Sequence, residues 1–114
     1  MSTARGYAVG QFRSVELGSE IFTYMSRIEA TFEPFGGEWV VHGTKPEVLE
    51  GPWSTDLVII GFPSVAAARD WYASPAYQAI IELRTGNSDS KVVLLEGVPE
   101  GYRAADTLAK ISAG

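Results

Sequence analysis

Asp56-Leu57-Val58-Ile59-Ile60-Gly61-Phe62 is the stretch that decides the fold. It has the length and the aliphatic, β-branched content of a strand, and Pro63-Ser64 stops it. It does not alternate. Leu57 and Ile59 stand on one face, with Val58 and Ile60 on the other. A second run, Lys91-Val92-Val93-Leu94-Leu95-Glu96, behaves the same way, with Val93 and Leu95 opposing Val92 and Leu94. An antiparallel sheet with one wet face alternates apolar and polar residues. These strands therefore require that both of their faces be sealed.

Working outward, Tyr7 to Arg13 reads as a first strand, with Ala8, Gly10 and Phe12 on one face. Ile21, Met25, Ile28, Phe32 and Phe35 recur at helical spacing, with Ser19 as the expected N-cap and Gly36-Gly37 as the stop. Glu38 to Thr44 reads as a second strand, in which Trp39 and Val41 oppose Val40 and His42. Val48-Leu49-Glu50 reads as a short extended piece before the Gly51-Pro52 turn. Ser64 is positioned to cap a helix over Val65 to Ala73. Ser74-Pro75 restarts that helix through Tyr77, Ile80, Ile81 and Arg84, with Pro75 at a first-turn position where its missing N–H costs nothing. Asn87-Ser88-Asp89-Ser90 reads as a polar turn before the Lys91 to Glu96 strand.

The order is βαββαβ, which implies an α+β, ferredoxin-like domain: a four-stranded antiparallel sheet with two helices on one face. Residues 1–98 form the expected single domain, and 99–114 a C-terminal tail with a weak helical stripe of Ala104, Leu108 and Ile111. Two helices can cover one sheet face only. The other is expected to be covered by a second copy, sheet against sheet, in a symmetric homodimer. The alternative is a monomer whose tail folds under its own sheet.

The chain has 114 residues, 46% of them apolar, and a formal charge of −5 from 9 basic and 14 acidic side chains, which argues against nucleic acid or an anionic membrane as partner. There is no cysteine, so disulfides, thiolate metal sites and Cys nucleophiles are excluded, and one histidine precludes a two-His metal site within one chain. Met1 to Gly6 lacks the apolar core of an export signal, and Leu57 to Ile60 is far short of the roughly 20 residues of a membrane span, so a cytoplasmic location is expected.

Tyr7-Ala8-Val9-Gly10-Gln11, Phe35-Gly36-Gly37-Glu38-Trp39, and Val48-Leu49-Glu50-Gly51 with Trp53 occur in an order and spacing that resemble the family named domain of unknown function 1330. So do Phe62-Pro63-Ser64, Trp71-Tyr72, Ser74-Pro75-Ala76-Tyr77-Gln78 and Leu83-Arg84. The resemblance runs from about Tyr7 to Val98. It implies the dimeric α+β barrel superfamily, in which two ferredoxin-like protomers join their sheets. Relatives there include cofactor-independent monooxygenases, lactone isomerases, polyketide cyclases and haem-binding enzymes, with ligands often between sheet and helices. The family has no agreed reaction, so the resemblance carries a fold further than a function. Many members carry Arg where this chain has His42.

His42 is the candidate catalytic residue, as a general base or proton shuttle, since imidazole titrates near neutrality. The plainer reading is a strand-end histidine bonded to a backbone carbonyl. Arg13 and Arg84 are candidate binders of a carboxylate or enolate. For Arg84 the plainer reading is a helix-end ion pair, with Asp89 as partner. Tyr24, Trp39, Trp53, Tyr72 and Tyr77 are candidates to line a pocket for a flat small molecule, set against ordinary packing, and Trp53 is read as a pocket-rim or interface residue. No metal-ligand spacing, phosphate loop or nucleophile elbow is present. The expected function is a homodimer binding a small organic ligand in each protomer, with no cofactor, and with cofactor-free proton transfer, cyclisation or oxygenation as the possible chemistry. A non-catalytic binding module is the alternative, and a haem enzyme ligated by His42 the third reading.

Overall fold

A computed structural model describes residues 4–113; Met1 to Thr3, at the start read above for an export signal, and Gly114 lie outside the described residues. The elements are β1 (Gly6–Val15), α1 (Ser19–Phe32) with a closing 3-10 turn (Glu33–Phe35), β2 (Glu38–Val41), β3 (Asp56–Phe62), α2 (Val65–Ala73), α3 (Pro75–Gln78), α4 (Ile81–Thr85), β4 (Ser88–Glu96) and α5 (Ala104–Ala113). The sheet has the order β2-β3-β1-β4, antiparallel throughout. This is the expected α+β, ferredoxin-like arrangement. β1 is central, paired to β3 from Gly6↔Phe62 to Phe12↔Asp56, and to β4 from Gly6↔Glu96.

The core lies between the sheet and the helices. Ala8, Ile60 and Phe62 face Tyr24, Ile28 and Phe32 of α1, with Ala68, Trp71, Tyr77 and Ile80 completing the cluster. Gly6 is what lets the sheet meet α2, since a Cβ there would lie 2.4 Å from the backbone of Ser64 and Val65. Gly36 closes the 3-10 turn at φ 76°, a left-handed position that glycine adopts without strain. Side chains alternate along a strand, so Tyr7, Val9, Ile59, Val93 and Leu95 lie on the opposite sheet face. There Val93 and Leu95 are 53% and 54% exposed. The tail does not cover them: α5 has no buried residue, and its Leu108 and Ile111 stand in solvent. The tail is therefore not folded under the sheet.

The structure changes several local readings. Gly18, in extended conformation, occupies the cap position of α1 and gives no side-chain bond; Ser19 is already helical. Met25 is exposed, and Tyr24 takes its place on the buried stripe with Ile21, Ile28, Thr31 and Phe32. Both positions border the apolar arc, and the aromatic ring has more surface to hide. β2 stops at Val41, after a register shift between Trp39 and Val41. Val48-Leu49-Glu50 forms no strand, and Leu49 is exposed. The restarted helix breaks into α3 and α4 around Ile80. Ser88 to Ser90 belong to β4 and are not a turn.

Candidate functional site

A cavity of about 630 Å³ opens between α1 and the helix-facing side of the sheet. Its floor is Ala8, Gly10, Val58, Ile60 and Val92, its α1 wall is Ile21, Tyr24 and Ile28, and Trp71, Tyr77 and Arg84 close its inner end. Such volumes and largely apolar walls are usual for small-molecule sites. Gly10 keeps the floor open: the nearest atoms to an added Cβ are those of the Phe12 ring.

Arg84 is 4% exposed and forms no ion pair among the described residues. Asp89 is not its partner. Its Nη1 donates to Ser90 Oγ at 2.8 Å and its Nε to the phenol oxygen of Tyr77 at 3.3 Å. Tyr77 in turn shares a 2.7 Å hydrogen bond with Tyr24. The expected polar turn at Asn87 to Ser90 is largely strand, since Ser88 to Ser90 belong to β4. As a strand residue two positions from Val92, Ser90 faces the same side and reaches the guanidinium. Burial opposes the charge of Arg84, but the phenol oxygens of Tyr77 and Tyr24 raise its hold on the proton, so it remains a cation. Tyr24 is pushed far above the ordinary phenol range, first by burial and then by Tyr77, so it stays a neutral O–H. Trp71 is fixed behind them by Nε1 donating to Thr31 Oγ1 at 2.9 Å, and its ring lies 4.3 Å from that of Tyr77.

At the mouth, His42 is exposed just beyond β2 and stacks on Trp39 at a centroid distance of 4.2 Å. The stack replaces the carbonyl bond of the plainer reading, since His42 has no hydrogen-bond partner among the described residues. Trp39 is held by donating to Glu29 at 2.6 Å and meets Phe32 edge-on. Arg13 lines the same space from the irregularity in β1, where the β4 register shifts between Phe12 and Ser14. Such bulges re-aim side chains. Lys45 pairs with Asp56 at 3.1 Å nearby. Arg13, Lys45 and Arg84 thus outnumber Glu29 and Asp56 around the cavity of a chain whose net charge is −5.

The structure brings His42, Arg13, Tyr24, Trp39 and Arg84 to one cavity. It does not bring Trp53 or Tyr72 there. Trp53 is an exposed loop residue whose indole N–H bonds Thr55 O, and Tyr72 packs outside, against Trp71 and Tyr77. Neither lines the cavity, because Trp53 is carried away by the long β2–β3 loop and Tyr72 lies one helical step from the inward-facing Trp71. Ser90 was missed as part of the site. The signal was the period of two running back from Leu94 and Val92 to Ser90 and Ser88.

A four-stranded antiparallel sheet in this order, with its helices on one face and a cavity beneath them, is the fold of the dimeric α+β barrel proteins. Residues 5–98 match the model of the family described as Domain of unknown function (DUF1330), and the chain belongs to that family. Among solved structures it is similar to RPA0582, a protein of unknown function from Rhodopseudomonas palustris, at 22% identity and a TM-score of 0.63, with 83% of each chain covered. It is also similar to SnoaB, a cofactor-independent oxygenase from Streptomyces nogalater, at 18% identity and a TM-score of 0.58, covering 89% of this chain and 100% of that one. Rv0793 from Mycobacterium tuberculosis matches at 13% identity and a TM-score of 0.51, covering 86% and 99%. These identities speak for the fold alone. No curated protein matches the sequence. No described helix is long and apolar enough to cross a membrane.

Proposed function

We propose that the protein binds a flat small organic molecule in the cavity of each protomer and acts on it by proton transfer without a cofactor. His42 is the proton-transfer group at the mouth, and Arg84 or Arg13 stabilises the charge that develops. The observation that carries this reading is an aromatic-walled space of about 630 Å³ with a buried, carboxylate-free arginine at its inner end. The similarity in fold to SnoaB, a cofactor-independent oxygenase, supports the same chemistry. In an oxygenase variant of it, the carbanion left by proton removal reacts with dioxygen. A methylene becomes a carbonyl, one oxygen atom leaves as water, and the substrate supplies the electrons. The functional unit is a homodimer joined through the open sheet faces, built from a domain of residues 1–98 with 99–114 appended, and its proposed compartment is the cytoplasm.

A panel of flat aromatic acids and phenols, titrated against tryptophan fluorescence, tests the binding, because Trp39 and Trp71 border the space. Saturable quenching is expected, and Gly10→Leu, which fills the floor, should abolish it. Failure of the whole panel to quench would reject the reading. Any ligand that turns over should do so at least about tenfold more slowly with His42→Ala. Unchanged turnover would remove His42 from the mechanism.

A further inference from the structure

We infer that Tyr24 is the terminal donor of a one-way hydrogen-bonded chain from Arg84 through Tyr77, and that this chain makes the inner end of the cavity an oxyanion site. The ligand class is then a flat molecule with a carbonyl or phenolic oxygen that is, or becomes, negatively charged. The inference rests on the cavity being a small-molecule site, as proposed above.

The direction of the chain follows from what each group can donate. A guanidinium has N–H donors and no acceptor, so in the 3.3 Å contact between Arg84 Nε and Tyr77 the phenol oxygen accepts. Tyr77 is 1% exposed, so its own proton needs an acceptor inside the protein. The Tyr24 phenol oxygen, 2.7 Å away, is the other hydrogen-bond partner of that hydroxyl among the described residues. Tyr77 therefore donates to Tyr24. The Tyr24 proton is then left over, with no other acceptor among the described residues, on a side chain that borders the cavity. Each bond polarises the next, so the last O–H is a better donor than an isolated phenol.

Arg84 tells the same story from its other side. Nε and Nη1 are engaged by Tyr77 and Ser90, while Nη2 has no partner among the described residues. A buried cation without a counterion is costly, and an anionic oxygen in the cavity would offset that cost. Tyr24 holds its proton too firmly to act as a base. It serves as a donor that meets the ligand oxygen, while Tyr77 positions and polarises it.

The probe is 4-nitro-1-naphthol, a flat phenol whose anion absorbs visible light. Its ionisation when bound is followed by absorbance, and the affinity of its neutral form at low pH by tryptophan fluorescence. Wild-type protein should bind the anion more tightly than the neutral form, so that the bound probe ionises at lower pH than the free one. Tyr24→Phe should weaken neutral binding by a few-fold at most and anion binding about tenfold or more. Tyr77→Phe keeps the Tyr24 hydroxyl but removes the hydroxyl that relays to it from Arg84, and should diminish the shift in the same direction, with a smaller effect on neutral than on anion binding. If both variants bind the neutral probe and leave the ionisation shift intact, the chain is wrong and the cavity reading survives. A probe that does not bind wild-type protein at all rejects both. The wild-type protein gives an independent measurement should a variant fold poorly: the methyl ether of the probe, which cannot ionise, should bind no more tightly than the neutral phenol. An ether that binds as tightly as the anion overturns the inference.

Discussion

Tyr24 ties the stability of the fold to pH. Its phenol packs against Tyr77 and Ile28 in the core cluster, and burial followed by the Tyr77 contact raises its pKa above the ordinary value of 10.0. In the unfolded chain the same group ionises near pH 10. Below that pH both states carry the proton, and Tyr24 contributes no pH dependence. Above it the unfolded chain loses the proton while the folded chain keeps it, so fewer protons are bound in the unfolded state and stability falls as pH rises. Denaturant unfolding of wild-type protein should therefore show declining stability above about pH 10, and Tyr24→Phe should flatten part of that slope. A slope identical in the two proteins would show that the phenol is not held neutral by the fold. Arg84 gives no such handle, because guanidinium keeps its proton across the accessible range.

The junction between α2 and α3 is the element that builds the inner end of the cavity. Ser74 serves both helices: its hydroxyl donates to Trp71 O at 2.6 Å and accepts from Tyr77 N at 3.3 Å, while Pro75 opens the next turn. One buried serine thus fixes the two aromatic residues behind the ligand space. Ser64 caps α2 at the other end, accepting from Ala67 N at 3.1 Å, and touches neither. Ser64→Ala and Ser74→Ala should each cost about 1 kcal/mol in chemical denaturation. Only Ser74→Ala should also change the ionisation of the bound naphthol, since only it loosens Tyr77. Equal effects on the probe would refute this division. The same elements mark how far the sequence could be read. Helix α2 and strand β3 were legible to the residue, because Pro63-Ser64 and Ser74-Pro75 are strong punctuation around clear periods. The start of α1 was not, because a serine beside a glycine offers two caps and the backbone used Gly18. Arginine 84 was legible as a candidate, but its partners were not. The Tyr77 and Ser90 contacts depend on a helix break at Ile80 and on strand pairing of Ser90 with Phe12, both tertiary outcomes that local spacing does not encode.

For the whole molecule, the decisive fact is the mismatch between the two faces of the sheet. One is covered by α1 to α4 and carries the core and the cavity. The other presents Val40, Val93 and Leu95, each about half exposed, beside Tyr7, Val9 and Ile59, and α5 leaves it open. Burying a large aliphatic side chain contributes roughly 1.5–3 kcal/mol. In a two-fold pair each position counts on both protomers, and a micromolar dimer needs about 8 kcal/mol in total. Val40, Val93 and Leu95 are each already half covered, so each contributes about half of that side-chain figure on pairing, and Tyr7, Val9 and Ile59 extend the face that a second copy would cover. Light scattering should give a mass of two chains at micromolar concentration. Leu95→Lys places a cation on the apolar face, on the edge strand β4, and the lone charge, desolvated twice per dimer, should weaken association at least a hundredfold and yield monomers. Leu95 lies on the face opposite the cavity, so the monomeric variant should still bind the neutral naphthol, with a Kd within a few-fold of wild type. Monomeric wild-type protein at tens of micromolar would eliminate the pairing. A Leu95→Lys monomer that binds no probe would show instead that the second copy completes the ligand site, and the cavity would then have to be assigned to the pair and not to the protomer.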